Sequence, residues 1–134
     1  MENEIQQQFE RRQRKILIVD DDSDFQLVLQ SCLRKEGYEC LGVVSVEEAL
    51  ESVRFSVPDL VILDLGLRKA SGLAFLQNFV NLISIGEKIP PVLVVSGYSD
   101  PEIVEFATML GASCFIPKPI GASEIVSTVH SFLH

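Results

Sequence analysis

Tryptophan is absent from the 134 residues, and tyrosine, methionine and histidine occur only twice each. Basic residues are scarce: 11 Lys and Arg stand against 19 Asp and Glu, a formal net charge of −8 at pH 7. Affinity for phosphate backbones comes from clustered Lys and Arg, so this balance argues against a nucleic-acid surface. No apolar run approaches the ~20 residues that span a bilayer. The opening Met1-Glu2-Asn3-Glu4 has no basic-then-apolar leader. No membrane segment and a cytoplasmic, reducing location are therefore expected. Cysteine is limited to Cys32, Cys40 and Cys114, an odd number without CxxC spacing. They read as free thiols at apolar positions, which disfavours a redox role.

What is present is an ordinary globular composition, 47% apolar and 22% charged, in a length that suits one domain. Residues 1 to 13 are polar and lack a core pattern, so they read as a tail, with the domain over 14–134. The basic run Arg11-Arg12-Gln13-Arg14-Lys15 reads as a solvated flank.

From there the chain alternates two periods. Lys15-Ile16-Leu17-Ile18-Val19 is an unbroken apolar run rich in β-branched residues, as expected of a strand buried on both faces of a parallel sheet. Phe25, Val28, Leu29, Cys32 and Leu33 recur at helical spacing and stop at Gly37. Residues 38–44 form a second strand, and Ser45 with Glu48 makes a capping box for a helix bearing Val46, Ala49, Leu50 and Val53. Leu60-Val61-Ile62-Leu63 is a third strand, followed past Gly72 by a helix with Leu73, Leu76, Phe79, Val80 and Ile83. Val92-Leu93-Val94-Val95 is a fourth strand. Ser99 to Glu102, with Pro101 in the first turn, opens a helix that stops at Gly111. Cys114-Phe115-Ile116 is a short fifth strand, and a last helix carries Ile125, Val129, Phe132 and Leu133. Five β-α units in strict alternation predict right-handed crossovers and a parallel α/β sheet with five helices covering both faces.

Ligands of such sheets sit outside the carboxyl ends of the strands. Here those ends are polar in a particular way. The first strand runs into Asp20-Asp21, the third into Asp64, the fourth into Ser96, and the fifth leads to Lys118. Three carboxylates at one rim repel one another and persist where positive charge compensates them. Lys118 supplies one charge, and a hard divalent cation such as Mg²⁺ suits the rest. A carboxylate can attack a phosphoryl group to give an acyl phosphate, a reaction that depends on positioning and on neutralised oxygens.

With these pieces in order, the chain resembles the response-regulator receiver family of two-component signalling. The matching segments are Ile16 to Asp21, Pro58 to Leu65 with Ser71-Gly72, Val94 to Gly97, and Gly111-Ala112-Ser113 through Lys118-Pro119. The resemblance covers residues 15 to about 133 and implies a flavodoxin-like five-stranded parallel sheet of order 2-1-3-4-5. By resemblance Asp64 is the phosphoacceptor. Asp20, Asp21, Asp64 and the backbone carbonyl of Gly66 would hold Mg²⁺. Ser96 would be the switch hydroxyl, Lys118 the partner of a phosphoryl oxygen, and Phe115 the aromatic switch. The Lys118–Pro119 bond is expected to be cis.

The resemblance also implies a histidine kinase or histidine-phosphotransfer protein as phosphoryl source. Output would pass through the surface of the fourth helix, fifth strand and fifth helix to a downstream protein or a fused output domain. A phosphorylation-dependent dimer is compatible with it. A receiver assists its own phosphorylation and dephosphorylation and is not a turnover enzyme. Arg68 stands where the family often has Pro, and Gly66 and Gly97 leave the acceptor flanked by no side chains, which predicts easy access of water to an acyl phosphate.

Plainer readings stand beside these. Asp22, Ser23 or Asp24 suits the cap of the first helix. Ser71 and Ser99 suit turn and cap positions, His130 and His134 a solvent-facing end, and Phe75, Phe79 and Phe106 core or helix-face places. Two other functions also remain. Asp20 and Asp22 fit the DxD pair of haloacid-dehalogenase-type phosphatases, and the domain could be a receiver-shaped interaction module that takes no phosphate.

Overall fold

A computed structural model describes residues 13–66, 72–97 and 100–133. Residues 1–12 of the expected tail over 1–13 and the readings placed on Arg68, Ser71, Ser99 and His134 lie outside the described residues. Five strands form one parallel sheet: β1 (Lys15–Val19), β2 (Glu39–Val43), β3 (Leu60–Leu63), β4 (Val92–Ser96) and β5 (Cys114–Pro117). Their order is β2-β1-β3-β4-β5, and every neighbouring pair is parallel. The helices are α1 (Ser23–Lys35), α2 (Val46–Phe55), α3 (Gly72–Phe79), α4 (Pro101–Met109) and α5 (Ala122–Leu133).

The β-branched runs become the sheet centre because both of their faces are covered. Every residue of β3 and β4 is buried, and β1 is buried apart from Lys15. The strand period of two divides these residues between two cores. Leu17, Val19, Val61, Leu63 and Val94 meet Ala49, Val53, Phe75, Phe79 and Ala107 of α2, α3 and α4. Ile16, Ile18, Ile62, Leu93 and Val95 meet Leu29, Leu33, Ile125 and Val129 of α1 and α5. Each such Leu or Ile contributes about 1.5–3 kcal/mol by leaving water.

β2 is an outermost strand. Glu39 and Val43 direct their backbone groups to β1, so Cys40 and Val44 direct theirs outward. Arg34 Nη2 donates to the Cys40 carbonyl at 3.4 Å, and Glu48 Oε2 accepts the Val44 N–H at 3.2 Å. Ser45 caps α2 by accepting the Glu48 N–H. The reciprocal arm of the expected capping box therefore falls one residue before the cap. Asp22 caps α1 by accepting the Phe25 N–H at 3.1 Å. Gly37 and Gly111 end α1 and α4 with φ of +90° and +110°, the left-handed region that favours glycine.

Several expectations need correction. Val28 is 56% exposed, because α1 buries the stripe Gln26, Leu29 and Leu33, in which a glutamine takes the first inward place. Helix α3 ends at Phe79 and tightens into a 3₁₀ turn over Val80–Leu82, which leaves Val80 42% exposed. Phe132 lies on the last turn of α5 and is 40% exposed, while Val126 is buried in its helix. The three cysteines are free and half-buried, and burial pushes the Cys40 thiol up, away from a reactive thiolate.

Candidate phosphoacceptor site

The carboxyl ends of β1, β3 and β4 and the turn after β5 meet at one rim. Oxygens of Asp20, Asp21 and Asp64 lie within 4.8 Å of one another. Asp64 follows β3, and its own N–H is tied to the Val19 carbonyl of β1 at 2.9 Å. Its Oδ1 accepts from Ser96 Oγ at 2.8 Å and from the Gly66 N–H at 3.0 Å. Lys118 Nζ lies 3.5 Å from Asp64 Oδ2 and 2.8 Å from Asp20 Oδ2. The Lys118 N–H donates to the Ser96 carbonyl, which locks the turn after β5 onto β4, and the Lys118–Pro119 bond is cis as expected. Phe115 lies half-buried on β5, opposite Val94 in the ladder.

Burial pushes the Asp20 carboxyl up from its ordinary 3.8, against the lowering pull of Lys118 and of the Asp22 N–H. Burial works to lower Lys118, yet the Asp20 and Asp64 carboxylates overcome it and hold the ammonium above its usual 10.5. Three carboxylates and one ammonium leave two negative charges uncompensated among these four groups. The set is all hard oxygen, and a divalent cation of the Mg²⁺ type fits both the charge and the donors. Asp22 does not extend the set, since its side chain caps α1.

The roles of three supporting residues escaped the sequence reading. Gln26 is buried, and its Nε2 lies 3.0–3.1 Å from the carbonyls of Ile18, Asp20 and Val43, fixing the end of β1 against β2. Its Oε1 accepts from Gln30, and Gly42 makes room: a Cβ there would fall 2.4 Å from Gln26 Oε1. The readable signal was a glutamine in the inward stripe of α1. We expect Gln26→Leu to cost roughly 1–3 kcal/mol, since buried carbonyls lose their donor. Urea unfolding checks this, and an unchanged midpoint would contradict it.

The second is Gly72, which packs on the Asp64 backbone, and the third is Phe25, whose ring lies 4.3 Å from Lys118 Nζ. His130 also departs from expectation. Its Nδ1 lies 2.6 Å from the Tyr38 hydroxyl and its Nε2 3.5 Å from Glu36, so the ring joins α5 to the turn after α1. That pairing spans 92 residues and leaves no local signal.

Among the described residues no helix is long and apolar enough to cross a membrane. Comparison with known proteins agrees with the architecture. The response regulator receiver domain model matches residues 16–130. Sporulation initiation phosphotransferase F of Bacillus subtilis is 31% identical over 119 residues, which cover 89% of this chain and 93% of that protein. The transcriptional regulatory protein PdtaR of Mycobacterium tuberculosis is 29% identical over 117 residues, 87% of this chain. The chain spans about half the length of PdtaR, with 55% of that protein matched.

Among solved structures, a CheY-like receiver domain protein from Methanospirillum hungatei superposes with a TM-score of 0.83 at 26% identity, covering 90% of this chain and 94% of that one. The receiver domain of a signal transduction histidine kinase from Syntrophus aciditrophicus gives 0.78 at 28%, covering 90% and 89%. With sheet order, family model and relatives in agreement over nearly its whole length, the chain belongs to the response regulator receiver domain family.

Proposed function

We propose that Asp64 is the phosphoacceptor of this receiver domain. The observation that carries the reading is the ring of donors on one carboxylate: Ser96 Oγ and the Gly66 N–H on Oδ1, and Lys118 Nζ beside Oδ2. An Asp64 oxygen forms a bond to phosphorus as the bond from phosphorus to the donor's leaving atom breaks, giving an acyl phosphate. Ser96 and Lys118 then donate to phosphoryl oxygens. Asp20, Asp21, Asp64 and the Gly66 carbonyl would hold Mg²⁺, which supplies neutralising charge to those oxygens when bound. The domain is taken as 14–134, with 1–13 as a tail.

The switch follows from charge. Phosphorylation adds roughly −1.5 to −2 charges and three acceptor oxygens. Moving a population from 1:99 to 99:1 needs about 5.5 kcal/mol. Two charge-assisted hydrogen bonds at ~1.5–3 kcal/mol each supply much of it. Ser96 Oγ, already turned to Asp64 Oδ1 at 2.8 Å, is held there by the phosphoryl group, which keeps space open for Phe115, and the α4–β5–α5 surface carries the change to a downstream protein or fused domain. A histidine kinase or phosphotransfer protein is the phosphoryl source, in the cytoplasm, and the domain acts as a signalling switch without turnover. A Cβ at Gly97 would meet nothing within 4 Å, which supports open access of water and a phospho-Asp64 lifetime well short of many hours. Against the phosphatase alternative, Asp22 Oδ1 serves as the cap of α1.

The test is labelling by acetyl phosphate with and without Mg²⁺, mapped by mass spectrometry. Label on Asp64 that depends on Mg²⁺ is expected. In Asp21→Asn the Mg²⁺ concentration for half-maximal labelling should rise roughly tenfold or more, as one carboxylate is lost from a small donor set. Label on another residue would overturn the assignment. No label, with no Mg²⁺ binding, would leave the receiver-shaped interaction module.

A further inference from the structure

Among the described residues, three groups meet the ammonium of Lys118. Its Nζ lies 2.8 Å from Asp20 Oδ2, 3.5 Å from Asp64 Oδ2 and 4.3 Å from the centroid of the Phe25 ring. The two carboxylates are residues that the proposed function also gives to the metal, so their charge is shared when the site is loaded. Phe25 neither titrates nor ligates. Its ring is a restraint on Lys118 whose charge density is not shared with a metal.

Such a restraint has work to do. A lysine side chain has four rotatable bonds and a strongly hydrated head, and this one is 23% exposed. The face of an aromatic ring carries negative charge density and attracts an ammonium within about 6 Å. Phe25 is itself anchored. It is half-buried, packed against the cluster between the sheet, α1 and α5. Its N–H is held by Asp22 Oδ1, and the Asp22 N–H is held in turn by Asp20 Oδ1 at 2.9 Å. One short run of chain therefore fixes both the acid that Lys118 pairs with and the ring beside it.

We propose that Phe25 is a positioning residue for phosphoryl transfer. Its ring face keeps the Lys118 ammonium over the gap between Asp20 and Asp64, in place to receive the phosphoryl oxygens. It acts through Lys118 and touches no reacting atom. This rests on Asp64 being the phosphoacceptor.

The test compares the wild-type chain with Phe25→Leu, which fills similar space without a π face, and Phe25→Tyr, which keeps the face. In the Mg²⁺-loaded wild type, the Lys118 Cε protons should show an upfield ring-current shift by NMR. Phe25→Leu should lose that shift and take label from acetyl phosphate roughly three- to thirty-fold more slowly. Phe25→Tyr should keep both the shift and a rate near that of the wild type. The Mg²⁺ concentration for half-maximal labelling should stay within about twofold across the set, because no ligand is altered.

A wild-type spectrum without the upfield shift overturns the proposal, and so does a Leu variant that labels at the wild-type rate. Equal loss in Leu and Tyr would make the residue a packing element and also overturns it. A wild-type chain that takes no label on Asp64 overturns the phosphoacceptor reading itself, an outcome separate from the others.

Discussion

Asp64→Asn is expected to take no phosphoryl group from acetyl phosphate, at any Mg²⁺ concentration, while keeping its fold. An amide oxygen is too weak a nucleophile to form the acyl phosphate, and the neighbouring Asp20 has both of its oxygens engaged elsewhere. Asp20 spends Oδ2 on Lys118 and Oδ1 on the Asp22 N–H. The fold survives because asparagine has nearly the same shape and still accepts from Ser96 and Gly66 through its oxygen. Without metal the variant should melt at or above the wild-type temperature, since one of three crowded carboxylates loses its charge. Phosphate incorporation by mass spectrometry and melting by circular dichroism read the two parts. Undiminished labelling would move the acceptor elsewhere.

Gly72→Ala should be the most damaging of the conservative substitutions at the site. A Cβ at residue 72 would fall 2.4 Å from the Asp64 carbonyl oxygen and 2.9 Å from Leu65 Cα. Both are backbone atoms and cannot rotate away. The Gly72 N–H also donates to the Leu65 carbonyl at 3.0 Å, so the start of α3 and the end of β3 must separate together. Overpacking of this kind costs about 1–3 kcal/mol, which lowers the melting temperature of a domain this size by roughly 4–12 °C. Because the displaced atoms belong to the peptide of Asp64, the proposed acceptor, labelling should slow as well. An alanine variant with an unchanged melting temperature and labelling rate would mean that α3 begins elsewhere at no cost.

The elements whose signals lie in consecutive residues were legible from the chain alone. β3 and β4 are short unbroken β-branched runs, and both form where the pattern places them, with β4 one residue longer. The residues at the ends of these strands were legible for the same reason, because a doubly covered parallel strand leaves its polar chemistry to its tip. What failed was set by partners far away. Val28 looks like a core residue until Gln26 claims the inward position, and Gln26 does so because it bonds the end of β1 and also Val43 of β2, 17 residues further on. The role of His130 depends on Tyr38, and that of Phe25 on Lys118, pairs that no window of sequence connects. Gly72 read as a helix start; its need for close backbone approach appears only once α3 is folded onto the end of β3.

The outer side of β2 bears on how the domain behaves at high concentration. An uncovered strand edge is a template on which another chain can add a strand, and from there fibres grow. Here a guanidinium sits on one outward carbonyl and a carboxylate on one outward amide, so an approaching strand meets two charges of opposite sign and must displace both. Ribbon-like self-addition is thereby discouraged on that flank.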